Sequence, residues 1–209
     1  MCSLTCLNPN AIALNLLLLL LVIAPLSGVH HPPIHDIVTT QDIIAGDVFF
    51  EITEPAVLEY TYRLRPAKDF GISFVSQRYT GIALVLTQPA DACSKIRNYR
   101  EVRGNVALIK RGDCSFLTKT INAENAGAKA AIMTEFDDDS AEFEYYIEMV
   151  HDNTSREAHI PAGFLLGKNG IVIRSTLMSL RRPHAIINIP VNLTFVPPAQ
   201  INHPPWLGW

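Results

Sequence analysis

The spacing of hydrophobic positions changes along this chain, and the changes mark out its elements. Asp47–Thr53 and Val57–Leu64 are rich in β-branched and aromatic residues on either side of Glu54-Pro55, which predicts a hairpin or two neighbouring strands. Ile82–Leu86 is a short apolar strand leading into a loop that holds Cys93. Val106–Lys110 is the next strand, closed by Gly112. Beyond it the period lengthens from two residues to about 3.6. Ser115 is placed to cap a helix. On that helix Phe116, Leu117, Thr120, Ile121 and Ala123 share one face, while Thr118, Lys119, Asn122 and Asn125 lie opposite. Glu124 falls on the apolar side, against the pattern. Gly127 suits a helix stop, and Ala130–Thr134 returns as a strand. The two strands around this helix are expected to run parallel, as a βαβ unit.

The second half of the chain repeats the alternation more loosely. Glu135–Glu148 is acidic and reads as a loop, with Asp137, Asp138 and Asp139 in succession. Ile160–Leu165 is a short apolar segment. Lys168–Leu180 predicts a helix offering Ile171, Ile173, Leu177 and Leu180 for packing. His184–Ile189 reads as a closing strand, and the proline-rich tail from Pro197 as an extended segment. The expected fold class is therefore α/β and β-rich, with a mixed sheet, small sandwich or barrel and two flanking helices.

The amino-terminal end changes the compartment. Ala11–Ala24 is apolar except for Asn15, and Pro25-Leu26-Ser27-Gly28 follows, as in the core and cleavage zone of a secretory signal peptide. Residues 1–28 are read as that signal, with an uncleaved anchor as the alternative. Cleavage removes Cys2 and Cys6 and leaves Cys93 and Cys114 in an oxidising compartment, which favours a bridge between them. The competing reading makes Cys114, at a helix start, a reactive thiolate. Asn153-Thr154-Ser155 and Asn192-Leu193-Thr194 are N-glycosylation sequons, in keeping with secretion. Processing would leave no stable membrane span.

Charge and motifs narrow the chemistry. A net charge of −3 over 209 residues argues against a nucleic-acid surface. Neither an HExxH pair nor a GxSxG elbow occurs, and no cofactor or metal is implied. Arg111-Gly112-Asp113 spells an adhesion-type tripeptide, but it sits between a strand and a cysteine, where a glycine turn explains it as well. Asp137–Asp139 lacks the alternating ligands of a calcium loop. Arg111, Asp113 and Asp137–Asp139 are the candidate binding residues, because loops held by a rigid scaffold carry recognition.

ALIKRGDCSFLTKTINAENAGAKAAIM (107–133) resembles the signature of protease-associated (PA) domains: a strand ending in Arg-Gly, then Cys and Phe, a Lys-bearing helix, Ala-Gly-Ala and a second strand. Ile160-Pro161-Ala162 followed by Leu165–Gly170 is similar to the second signature of that family. Pro66–Gly71, Tyr146–Met149, Ile189–Thr194 and the ending around Trp206 resemble a small secreted member. The resemblance implies an N-terminal arm with strands over 29–74, a PA domain over 75–190 and a tail over 191–209. It also implies a non-catalytic module that binds a protein or peptide, the partner being unnamed by the sequence. A small secreted enzyme and an adhesion ligand are the competing function classes.

Overall fold

The computed structural model describes residues 46–137 and 144–207. Seven strands are found among them: β1 (Val48–Glu54), β2 (Thr61–Pro66), β3 (Tyr79–Leu86), β4 (Val106–Lys110), β5 (Ala130–Thr134), β6 (Ala162–Leu165) and β7 (His184–Ile189). They close into a barrel in the order β1-β2-β6-β5-β4-β3-β7. Strands β3, β4, β5 and β6 run parallel, whereas β1, β2 and β7 join their neighbours antiparallel. The α-helices among the described residues are a single turn α1 (Tyr99–Val102), then α2 (Phe116–Asn125) and α3 (Gly167–Ser179).

Alternate residues of every strand point into the barrel. Phe50 and Ile52, Tyr62 and Leu64, Ile82 and Leu84, Val106 and Leu108, Ala130 and Ile132, Leu165, and Ala185 and Ile187 make one buried cluster, which Ile173 and Leu177 of α3 join. Phe50 and Tyr62, paired across β1 and β2, stack with ring centroids 5.0 Å apart. The parallel strands are apolar on their outer face too. There Val85, Ala107, Ile109, Ala131, Met133 and Phe164 pack with Ala123 and Ala126 at the end of α2. Burial on both faces is why β4 and β5 read as unbroken apolar runs while β7 alternates.

The expected fold class holds, in its barrel form, and so do the βαβ unit and the limits of β4, β5 and β7. Ser115 caps α2 by accepting the Thr118 N–H at 3.1 Å. Gly127, at φ +86°, ends it with two crossed bonds: Gly127 N–H to Glu124 O and Ala128 N–H to Ala123 O.

Several expectations need correction. Val57–Tyr60 is not strand: Ala56–Leu58 forms a 3-10 turn after Pro55, which brings Leu58 into the core and leaves Val57 outside. Lys119, placed on the polar side of α2, is fully buried, because the buried face centres on Thr120 and Ala123 and the Cys93 loop covers its edge. Glu124, the apparent blemish, accepts the His159 N–H at 3.0 Å. The tail is not simply extended. Asn202 O accepts the Thr61 N–H, Ile201 is buried, and Trp206 meets the Tyr60 ring edge-on at 5.4 Å. β1 and β2 are barrel strands like the rest. Residues 1–45 and the acidic positions Asp138 and Asp139 lie outside the described residues, and with them the signal segment and most of the arm.

Candidate functional site

Parallel strands carry all their following loops at one end, and here that end gathers most of the polar side chains singled out in the sequence. The loop after β3 holds Cys93, the turn after β4 holds Arg111, Asp113 and Cys114, and the segment after β5 begins with Glu135 and Asp137. Cys93 and Cys114 are joined by a disulfide with Cα atoms 5.7 Å apart. It fastens the β3–β4 loop to the start of α2.

The turn after β4 is built tightly. Gly112 and Asp113 both take positive φ, at +98° and +65°, and Cys114 N–H closes onto Gly112 O at 2.8 Å. Arg111 hydrogen-bonds through its backbone to Thr134 O, and its Nε lies 3.8 Å from Glu135 Oε2. Glu135 is buried, and its other oxygen accepts the backbone N–H groups of Phe136 and Asp137. Asp137 accepts from Lys110 Nζ at 2.8 Å, a bond that raises the lysine pKa. Arg111 and Asp137 are thus brought to neighbouring strand ends, whereas Asp113 points to solvent. An adhesion tripeptide needs both its charges presented outward. Here the guanidinium is turned onto Glu135, its side chain only 22% exposed.

A second polar group lies beside the helix cap. Ser115 Oγ donates to Asp152 Oδ2 at 2.6 Å, Thr154 Oγ1 donates to Oδ1 at 2.7 Å, and Arg156 Nη2 approaches Oδ2 at 2.5 Å. The hydroxyl bonds from Ser115 and Thr154 hold the Asp152 carboxyl well below the usual carboxylate range. Asn153 stands exposed at the top of this loop at φ +59°. Asn192 is exposed as well, with its Oδ1 accepting both the backbone and hydroxyl of Thr194. Both sequon asparagines are thus exposed, although Leu193 within the second is buried.

Sequence reasoning missed two features. Lys119 extends its ammonium beneath the disulfide, 2.6 Å from Asp91 O and 3.2 Å from Cys93 Sγ. Its only signal in the chain was its place four residues after the helix cap. At the other end of the parallel strands lies a groove of about 720 Å³, bounded by Asp47–Val48 and Pro66–Val75 and floored by Ala162. Val75 is 81% exposed there and Ile72 37%. Segment 66–75 falls between the strands expected at Val57–Leu64 and Ile82–Leu86, and within it only Pro66–Gly71 carries a signal, that of the family resemblance. Among the described residues no group of three His, Cys, Asp or Glu side chains is arranged to hold a metal ion.

A β-rich barrel with one βαβ unit on its flank and a clamped β4–α2 turn is the architecture expected of a PA domain, and the PA domain family model matches residues 80–173. The chain belongs to the PA domain family. Within it, the PRADC1-like protein of Drosophila melanogaster is 69% identical over 172 residues, covering 82% of this chain and 87% of that protein. The ER degradation-enhancing alpha-mannosidase-like protein 3 of Homo sapiens is 27% identical over 57% of this chain, which corresponds to 13% of that much longer protein. Among solved structures, the aminopeptidase from Aneurinibacillus sp. strain AM-1 aligns with a TM-score of 0.47 and 20% identity, over 69% of this chain and 30% of that one. The zinc aminopeptidase from Bacillus subtilis gives 0.43 and 19%, over 68% and 29%. The family match begins at β3 and stops within α3, so β1, β2 and β7 complete the barrel from outside the matched stretch.

Proposed function

We propose that this chain is a non-catalytic binding module of the secretory pathway, glycosylated at Asn192 and Asn153, which holds an extended segment of a partner protein. The observation that carries the reading is the groove at Pro66–Val75. It presents the exposed apolar side chains Ile72 and Val75 beside main chain, with Lys68 and Asp69 among its lining residues. A concave apolar lining with a few polar groups suits a peptide better than a flat surface does. Support for a non-catalytic role comes from the opposite end of the strands, where Glu135, Asp137 and Asp152 are each bonded to a basic or hydroxyl neighbour rather than poised as bases. Support for the secretory pathway comes from the signal-like start, the two exposed sequons and the disulfide. The human relative is by its name an ER protein.

Selection of peptides from a displayed random library against the full chain tests the binding site. Enriched peptides are expected to bind at least about tenfold more weakly to Val75→Glu, an exposed substitution that leaves the barrel intact. Peptides that bind the variant equally well, or no enrichment at all, would overturn the assignment. Glycosidase treatment of the secreted chain should produce a mobility shift that Asn192→Gln and Asn153→Gln each reduce by one step. A chain that stays in the cytosol without a shift would sink the secretory reading.

A further inference from the structure

We propose that Cys93–Cys114 is an exchangeable thiol–disulfide site, in which Cys93 leaves as a thiolate held by the Lys119 ammonium while Cys114 accepts an external low-molecular-weight thiol. The juxtaposition that carries this is a fully buried lysine whose Nζ lies 3.2 Å from Cys93 Sγ and 2.6 Å from the Asp91 carbonyl oxygen. Cys93 and Cys114 are themselves only half-buried, so a small thiol can reach the bridge.

In the oxidised protein the ammonium is bonded to a backbone carbonyl and a neutral sulfur, a poor return for a buried charge. Burial accordingly lowers the Lys119 pKa. The charges facing it are Asp91 on the β3–β4 loop and Asp113 in the turn after β4, which oppose that lowering, and Lys110 at the end of β4, which adds to it. Breaking the bridge puts a full negative charge on Sγ of Cys93, directly against the ammonium. That ion pair forms only in the reduced state, so it favours the reduced state and lowers the Cys93 thiol pKa. Lower-pKa thiols are also the better leaving groups in exchange. Among the described residues no ammonium contacts the Cys114 sulfur, which has only the start of α2 beside it, a weaker influence than a direct ion pair, and its sulfur is therefore the one attacked.

The step balances with a thiol as the sole co-reactant. The external thiolate forms a bond to Cys114 Sγ, the Sγ–Sγ bond breaks, and its electron pair stays on Cys93. A second thiolate then attacks the external sulfur of the mixed disulfide, releasing an oxidised thiol pair and the Cys114 thiolate. Two thiols thus supply the two electrons that reduce the bridge.

The oxidised full chain in a glutathione buffer provides the test, read by peptide mass mapping after rapid acid quenching. The expected adduct is glutathione on Cys114 with Cys93 free. An adduct on Cys93, or no adduct in the folded protein, would overturn the proposal. Lys119→Met, which keeps a long unbranched side chain without charge, should slow exchange about threefold or more. Unchanged exchange in a folded variant counts against the lysine. Should that variant not fold, alkylation of the reduced wild-type chain across pH settles the matter. Cys93 is expected to react with a midpoint about one unit or more below that of Cys114, and equal midpoints would refute it.

Discussion

Ser115 and Asp152 are joined by one hydroxyl that serves two structures at once. The Ser115 oxygen accepts the Thr118 N–H that caps α2, and its proton is given to Asp152 Oδ2 at 2.6 Å. The helix carrying the buried lysine is thereby tied to the Asn153 loop, although the two residues are 37 positions apart.

Replacing Ser115 by Ala should cost about 1 kcal/mol for the cap alone, with the Asp152 bond lost in addition. Asp152→Asn separates the two effects. Because the Asp152 carboxyl is held below its ordinary range when folded, its stabilisation is complete above the unfolded value of about 4 and disappears as pH falls towards the folded value. Urea unfolding should therefore show wild type more stable than Asp152→Asn at pH 7, with the gap narrowing below about pH 4. A gap that stays constant to pH 2 would contradict the assigned bond.

Gly170 lets α3 lie directly on β5. A methyl group at that position would overlap Thr134, which is itself fully buried in its strand. Gly170→Ala is expected to destabilise by about 1–3 kcal/mol, against the usual gain from alanine in a helix. Thr134→Ala in the same chain should recover part of that loss, a coupling readable in a double-mutant cycle.

Trp206 fixes the tail to α3. Its indole N–H donates to Asn169 Oδ1 at 2.9 Å, and Asn169 is wholly buried with its Nδ2 lacking any hydrogen-bond partner among the described residues. Trp206→Phe keeps a ring against Tyr60 but leaves the carboxamide unsatisfied, at an expected cost of about 1–3 kcal/mol. Trp206→Phe with Asn169→Leu should cost less than the two singles combined, since both polar partners are then gone.

The disulfide closes a loop between residues 21 positions apart. Changing both cysteines to Ser should lower stability by about 3 kcal/mol through loop-closure entropy. A smaller loss in denaturant titrations would show that contacts such as Asn122 Nδ2 to Ala92 O already order this loop in the absence of the bridge.

Much of this molecule was legible in the chain because its signals are local. The apolar runs of β4 and β5, the Ser115 cap and the Gly127 stop each depend on neighbours within a few residues, and so do the two sequons. The single remaining cysteine pair is equally plain once a signal segment is assumed. These features fix a βαβ unit and its clamp, and the resemblance to PA domains rests on them.

What no local signal carried is decided by contacts between distant segments. Lys119 reads as a polar helix position because its covering partners, Asp91 and Cys93, come from a loop more than twenty residues away. Val57–Tyr60 reads as strand because nothing nearby announces that Leu58 must turn inward. The tail reads as loose because Asn169 and Tyr60 meet Trp206 only once the barrel has closed. The sequence by itself set the periods, caps and stops, which are short-range sterics and hydrogen bonding. Tertiary structure alone decided which polar groups are buried and against what, because desolvation depends on which segments come to cover a side chain.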